Sequence, residues 1–255
     1  MSTADNAPEP KRIALVGYGR MGQAIDTIAQ MRGHSISHRI DRQESAQLEA
    51  LSTENTDVVI EFTHPEAVLG NLHSLLALGI PVVTGTTGWD AQREEVAQRV
   101  AEHNGSLVYA ANFSLGVNVL FALNRALARW LNPYPQYDPY IEERHHLGKA
   151  DSPSGTALHL AQDVLAELNR KTRVALPGEL IQRPPEPEEL SMGVTRAGGI
   201  PGTHTVGWHS SIDSLEISHT AHSREGFALG AVLAAERMEP EMGFVNFADL
   251  LDLHL

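Results

Sequence analysis

The chain has 255 residues, 42% of them hydrophobic and 20% charged, enough for two modest domains with cores of their own. Its 32 acidic against 19 basic side chains give a formal charge of -13, which argues against nucleic acid and anionic membrane surfaces as general partners. There is no cysteine, which excludes disulfides, thiolate metal sites and thiol-based covalent catalysis, and no stretch reaches the roughly 18 apolar residues that a membrane span needs. The opening MSTADNAPEP has neither a basic start nor an apolar run, so it reads as a frayed tail rather than a secretory signal, and the expected location is the cytoplasm.

From Lys11 onward, short β-branched runs alternate with helical patterns. The strands predicted are RIALVG, HSISHRI, TDVVIEF, IPVVTG and SLVYAA; between them Arg20 to Met31, Pro65 to Leu78 and Asp90 to His103 carry apolar residues at helical spacing, with Thr63 and Asp90 placed as caps. This is the rhythm of a doubly wound α/β domain with a Rossmann-like parallel sheet. After Ala111 the rhythm changes, and a junction is expected near Phe113. A helix from Leu115 to Trp130 runs into the proline-marked break NPYPQYDPY, followed by a strand at Tyr140 to Arg144, a helix from Gly155 to Lys171 and the loop RPPEPEEL. MGVTRAG, HTVGWH and SLEISHT then suggest a second, α+β domain with a mixed, mostly antiparallel sheet, able to cover a substrate or a neighbouring subunit. The Ala- and Gly-rich helix REGFALGAVLAAERM suits close packing back on the first domain. The division expected is 1–113 plus 224–255 for dinucleotide binding, and 114–223 for substrate binding and oligomerisation.

Gly17, Gly19 and Gly22 fall in GxGxxG spacing directly after the first strand and directly before the first helix. That context assigns Gly17 to a tight turn, Gly19 to close backbone approach by a pyrophosphate and Gly22 to close helix packing, with helix N–H groups facing the phosphates. Asp41, 19 positions after Gly22 at the end of the second strand, suits the adenine ribose hydroxyls. Arg42 beside it is either a partner for a 2'-phosphate, which would admit both NADH and NADPH, or a solvated surface charge. FTHP at Phe62 to Pro65 and GTTGW at Gly85 to Trp89 end the next two strands, the edge where ligands bind in such sheets.

The segment IEERHHLGKADSPSGTALHLAQ puts His145, His146 and Lys149 ahead of a turn and a helix that opens with Ser154, Gly155 and Thr156. Free N–H groups at a helix start, two hydroxyls and an ammonium make a cradle for a carboxylate, and an imidazole beside it suits a general acid. An HH pair by itself is more often structural than catalytic. Glu142 and Glu143 read as surface strand residues, or one of them orients His145; Arg196 either adds charge near the pocket or braces the sheet. Thirteen histidines occur without HExxH or a tight His/Asp cluster, so no metal site is expected.

HHLGKADSPSGTA resembles the HHxxKxDxPSGTA signature of 4-hydroxy-tetrahydrodipicolinate reductase, formerly dihydrodipicolinate reductase. VGYGRMG, EFTHP, GTTGW, ANFSLGVN, TRAGGIPGTHTV and ISHTAHSREGFALGA resemble further segments of that family, in its order and over nearly the whole chain. The resemblance implies a homotetrameric NAD(P)H-dependent reductase of a cyclic dicarboxylate in the diaminopimelate route to lysine. It implies His145 as the acid, Lys149 as its partner, His146 in contact with substrate, and Ser154, Gly155 and Thr156 gripping a carboxylate. Gly17, Gly19, Arg20, Met21 and Gly22 would hold the phosphates, Asp41 and Arg42 the adenosine end, and Phe62, Thr63, Gly85, Thr87, Ala111 and Phe113 would line the nicotinamide channel. Leu147 and Gly148 leave the His-to-Lys turn less basic than in some members. Two rival readings share the nucleotide domain: a homoserine or amino-acid dehydrogenase, and a nicotinamide-sensing or scaffolding protein. Neither accounts for HHxxK joined to PSGTA.

Overall fold

All five strands expected in the first part of the chain form where Val, Ile and Leu cluster: β1 (Arg12–Val16), β2 (Ser35–Ile40), β3 (Val58–Glu61), β4 (Val82–Thr84) and β5 (Ser106–Tyr109). The computed structural model describes residues 8–41 and 47–253. They divide into two units, one taking the chain up to Leu115 together with Arg224–Leu253, the other Gly116–Ser223.

In the first unit a late strand, β11 (Gly243–Asn246), adds to β5, and all neighbours in the order β11-β5-β4-β3-β1-β2 run parallel. Side chains alternate between two covered faces, which is why β3 and β4 are buried at every position. Ile13, Leu15, Val58 and Ile60 pack with Ile25 and Ala29 of α1 (Arg20–Met31) and with Ala228, Ala231 and Val232 of α7 (Glu225–Glu236). Ala14, Val16, Val59 and Val82 pack on the other face with Val68, Leu72 and Leu75 of α2 (Pro65–Ala77) and with Val96 and Val100 of α3 (Arg93–Glu102). Strand order reverses direction between β1 and β3, the position at which doubly wound sheets open a ligand crevice.

Two capping expectations are corrected. The cap residue of α2 is His64, without a side-chain hydrogen bond, while the Thr63 hydroxyl is drawn to the buried Glu61 carboxylate. Asp90 lies inside a single 3-10 turn, Asp90–Gln92, with its carboxylate on the Arg93 guanidinium, and α3 starts only at Arg93. β11 and the short α8 (Phe247–Leu250) that follows it were not expected, because four residues each carry too little periodicity.

The second unit begins within α4 (Leu115–Leu131) and builds a sheet in the order β10-β9-β6-β8-β7. Its strands are β6 (Asp138–His145), β7 (Arg173–Ala175), β8 (Glu189–Arg196), β9 (Thr203–His209) and β10 (Ser214–Thr220). The sheet is mixed, but not mostly antiparallel: β10–β9 and β9–β6 are antiparallel, while β6–β8 and β8–β7 are parallel. The parallel half depends on β7, three residues hidden in a stretch that carries no alternation, and on the crossover through α5 (Gly155–Glu167) that brings the chain back to β6's side. α5 stops at Glu167 rather than at Lys171. Leu168 is extended, and the Lys171 ammonium is buried against Asp138 at 2.5 Å and the carbonyls of Pro187 and Glu189 at 2.8 Å each. The loop RPPEPEEL also ends early, because Glu189 already opens β8, and a one-turn α6 (Pro177–Leu180) precedes it. Val117, Leu120 and Phe121 of α4 and Leu160 and Val164 of α5 cover Ile141, Met192, Val206 and Trp208 of the sheet. Among the described residues no helix is long and apolar enough to cross a membrane.

Candidate active site

In the first unit the three glycines have three different surroundings. Gly17 has φ +94°, and a Cβ there would stand 2.0 Å from the Phe62 carbonyl oxygen. A Cβ at Gly22 would stand 2.2 Å from the Gly17 carbonyl oxygen, so α1 can pass this close to the turn only without side chains. A Cβ at Gly19 would meet nothing within 4 Å. Gly19 is also the cap residue of α1 and supplies no side-chain hydrogen bond, so the N–H groups of Arg20, Met21 and Gly22 open the helix without a capping side chain. An uncapped helix start beside a cradle that a Cβ would fill fits a dinucleotide pyrophosphate.

The other candidate residues of this unit stand at the same, C-terminal edge of the sheet. Asp41 is exposed and follows β2 directly, held beside the glycine turn by the Gly17 N–H, which donates to Ile40 O at 2.8 Å. Arg42 lies outside the described residues. Phe62 and Thr63 follow β3; Gly85 and Thr87 follow β4; Ala111 and Phe113 follow β5. The Phe62 ring lies where a Gly85 Cβ would be, 2.1 Å from it, and meets the Phe113 ring at 5.8 Å between centroids. Two residues here escaped the sequence reading. Thr86, not Thr87, ties the loops together, its hydroxyl accepting from the Thr63 N–H at 2.8 Å. Glu61, fully buried, takes the hydroxyls of Thr63 and of Thr84, the latter at 2.6 Å.

In the second unit the site forms around the end of β6. Period-2 alternation puts Ile141, Glu143 and His145 on the buried face and Glu142 and Arg144 outside. Glu143 is therefore not a surface residue; its exposure is 0%. Its Oε1 accepts from the Arg196 guanidinium at 2.8 Å and from the Ser154 N–H at 3.0 Å; its Oε2 faces His145 Nδ1 at 3.4 Å and His204 Nε2 at 3.5 Å. Burial alone would raise the Glu143 pKa, but the neighbouring His204, Ser154 and Arg196 outweigh it and hold the carboxyl well below the usual range. Arg196 thus both carries charge into the site and braces it, since it also donates to the Asp151 carbonyl at 2.7 Å.

Burial pushes the His145 pKa down to about 4, helped by the nearby charges of His204, Lys149 and Arg196 and opposed by Glu143. The His145 and His204 rings meet edge to face at 5.0 Å. Gly202, at φ +125°, lies against the other side of His145: a Cβ there would stand 3.2 Å from the ring Cδ2 and 3.3 Å from Nε2. His146 is exposed and starts a turn closed by the Lys149 N–H on its carbonyl at 3.2 Å. The Lys149 ammonium rests on Asp151 at 2.6 Å rather than on His145. Ser154 is buried and caps α5, its Oγ accepting from Ala157 N–H at 3.2 Å and pairing with His204 Nε2 at 3.0 Å. Its hydroxyl is thus spent within the protein, and the Gly155 N–H already donates to the Asp151 carboxylate, which leaves the first-turn N–H of Thr156 for the cradle.

The expectation of no tight metal-type cluster needs correction, because Glu143, His145 and His204 bring one donor atom each within 4.8 Å of one another. Arg196 already neutralises that carboxylate, and Ser154 engages His204, so the cluster reads as a hydrogen-bonded network. No spacing rule finds it: His204 and Arg196 come from β9 and β8.

Residues 11–113 match the family described as dihydrodipicolinate reductase, N-terminus, and residues 116–251 its C-terminus. A 4-hydroxy-tetrahydrodipicolinate reductase of Christiangramia forsetii is 44% identical over 239 residues, 94% of this chain and 97% of that protein. A dihydrodipicolinate reductase from Paenisporosarcina sp. TG-14, solved with dipicolinate bound, shares the fold at TM-score 0.75 and 22% identity, over 93% of this chain and 98% of that one. Aspartate semialdehyde dehydrogenase II of Vibrio cholerae is a more distant likeness of fold, with TM-score 0.51 and 10% identity over 89% and 98% of the two chains. With both halves matched and a relative this similar from end to end, the chain belongs to the dihydrodipicolinate reductase family, oxidoreductases whose first domain is a nucleotide-binding Rossmann domain.

Proposed function

We propose that this chain carries out the reaction of its family: loss of water from 4-hydroxy-tetrahydrodipicolinate, hydride addition at ring C4 and protonation to tetrahydrodipicolinate, in the diaminopimelate route to lysine. The observation that carries this reading is the network on β6, which joins a buried imidazole, His145, to the capped helix start at Ser154 through one carboxylate. NADH or NADPH supplies the hydride when bound to the first unit. Gly17, Gly19, Arg20, Met21 and Gly22 take its phosphates; Asp41 and Arg42 take the adenosine end; Phe62, Thr63, Gly85, Thr87, Ala111 and Phe113 bound the nicotinamide.

His145 is the acid, and it offers Nε2, because Nδ1 faces Glu143. With its pKa near 4 the imidazole is neutral in the unliganded protein at pH 7. A dianionic substrate gripped by the Gly155 and Thr156 N–H groups, the Thr156 hydroxyl, His146 and Lys149 adds opposite charge beside the ring and raises that pKa, so the proton is taken up along with the substrate. In this step Lys149 and the Gly155 N–H leave Asp151 for the substrate carboxylate.

The test is oxidation of NADH and of NADPH with freshly prepared substrate, together with a titration of pyridine-2,6-dicarboxylate, which should compete with substrate. Thr156→Val removes one hydroxyl-to-carboxylate hydrogen bond from the cradle and should weaken that inhibitor by roughly ten- to a hundredfold. No inhibition, or inhibition indifferent to Thr156→Val, would place the carboxylate site elsewhere.

Both cofactors should serve, since Asp41 favours free ribose hydroxyls and Arg42 a 2'-phosphate. Arg42→Ala should raise KM for NADPH roughly ten- to a hundredfold by deleting a charge-assisted contact, with NADH nearly indifferent. Asp41→Ala should weaken NADH and spare NADPH. Equal shifts for the two cofactors in Arg42→Ala would show that this side chain does not read the 2' position.

The enzyme is expected to be cytoplasmic and to assemble as a homotetramer through the second unit's sheet. In support, β10 is mostly exposed, and Ile212 just before it and Leu215 within it stand 80% and 45% accessible. A mass by light scattering other than that of four chains would refute the assembly.

A further inference from the structure

Glu143 joins His145 to three other side chains and backbone groups of the second-unit site. It stands two residues before His145 on β6, receives Ser154 at the start of α5, Arg196 at the end of β8 and His204 on β9, and is fully buried. Four elements, β6, α5, β8 and β9, are thus tied to the two oxygens of one carboxylate. Oε1 is saturated by Arg196 and the Ser154 N–H. Oε2 and His145 Nδ1 have no closer partner than each other, so each is buried and short of a hydrogen bond in the resting arrangement. A proton on Nδ1 satisfies both at once.

We propose that Glu143 is the positioning residue of this site, orienting His145 so that Nε2 faces the substrate while the same carboxylate holds the N-terminus of α5 in register with it. The inference rests on His145 as the acid. Glu143 makes no contact with substrate; it acts by fixing the ring edge presented and by stabilising the imidazolium that substrate binding calls for. The groups facing His145 are Glu143 on its own strand, Arg196 from β8, His204 from β9 and Lys149 from the following turn. Glu143 alone of these favours the charged ring.

The sign follows from that charge. The protonated ring is the active form, so turnover fails as pH rises through the pKa of His145 in the substrate complex. Removing an opposite charge this close lowers that pKa by roughly one to three units. The experiment compares full-length wild type, Glu143→Gln, Glu143→Asp, His145→Ala and the Glu143→Gln/His145→Ala double variant. It measures kcat and KM across pH, with NADH affinity by fluorescence as the check that the first unit is intact.

Glu143→Gln should lower kcat by about a hundredfold or more, leave NADH affinity unchanged and move the alkaline fall of kcat to lower pH. Glu143→Asp keeps the charge on a shorter stem, so its alkaline limb should stay in place while kcat falls; it carries the test if the Gln variant does not fold. The double variant should be no slower than His145→Ala, because Glu143 acts through that ring. An unshifted limb in Glu143→Gln, wild-type kcat in Glu143→Asp, or additive losses in the double variant would each overturn the inference. Near-normal turnover of His145→Ala would instead overturn the assignment of the acid, which is a separate and separately visible result.

Discussion

His145→Ala is expected to lower kcat by about 10² to 10⁴ while leaving KM for NADH and NADPH within about twofold, because a positioned acid contributes that much to the chemical step and nothing to binding of the dinucleotide. The side chain is buried at the end of β6, bounded by His204 on one side and by the Gly202 backbone on the other. Truncation leaves a small cavity at a strand end, not a broken strand, and the ladder partners of His145 are backbone groups: its carbonyl still accepts from the Ala197 N–H at 3.0 Å. Loss of fold is therefore not the expected outcome. Lys149→Ala should behave differently. Its ammonium is a quarter exposed and rests on Asp151, so it is available to a substrate carboxylate; both KM for the substrate and turnover should worsen. Near-normal kcat in both variants, measured by steady-state oxidation of the cofactor, would refute the assignment.

The second large effect separates two glycines of one motif. Gly17→Ala should be strongly destabilising. The residue sits at φ +94°, where a Cβ costs roughly 1–3 kcal/mol, and that Cβ would stand 2.0 Å from the Phe62 carbonyl oxygen. Relieving the overlap needs a backbone shift of β3's end, worth roughly another 1–3 kcal/mol. A melting temperature lower by roughly 5 to 20 °C follows for a chain of this size. Gly19→Ala has no such cost, since its added Cβ meets nothing within 4 Å and its φ of -74° is open to any residue. It should melt with the wild type yet bind NADH and NADPH roughly ten- to a hundredfold more weakly, by holding a pyrophosphate off the helix N–H groups. Calorimetry and a fluorescence titration of both variants decide the matter. If Gly19→Ala binds normally, the phosphates do not approach there; if Gly17→Ala melts normally, the turn has room that its geometry denies.

The contrast explains what the sequence could and could not reveal. Strands β1 to β5 and helices α1 and α2 were legible because a two-sided parallel sheet needs long apolar runs and its helices need a 3.6-residue stripe, and Arg20–Met31 supplies both ends of its helix. β7 and β11 were not, because three or four residues carry too little alternation, and their places are set by partners far along the chain. The extension of α5 to Lys171 failed for a related reason: a lysine reads as helical surface until a fold supplies three oxygens to bury it. In the site, the glycine motif and the His-to-Thr segment were visible because their residues lie side by side. Glu143 was visible only as one of two acids in a strand, although the alternation Ile141, Glu143, His145 was itself a signal for its inward direction. Its partner Arg196 stands 53 residues away and His204 further still, a distance that no local pattern spans.

The composition of the first unit also bears on the order of events during synthesis. Its sheet lacks an edge until β11 pairs with β5, and α1 lacks a cover until α7 arrives with Ala228, Ala231 and Val232. Lys11, just ahead of β1, donates to the Met238 carbonyl at 2.7 Å, and Arg32 and His34 at the end of α1 both hold Glu236, the last residue of α7. A ribosome moving along the message has therefore released the whole of Gly116–Ser223 before the parts that close the dinucleotide unit exist. The nascent N-terminal strands must wait with one face of their sheet covered by α1 alone, so the unit begun first is the last to be finished.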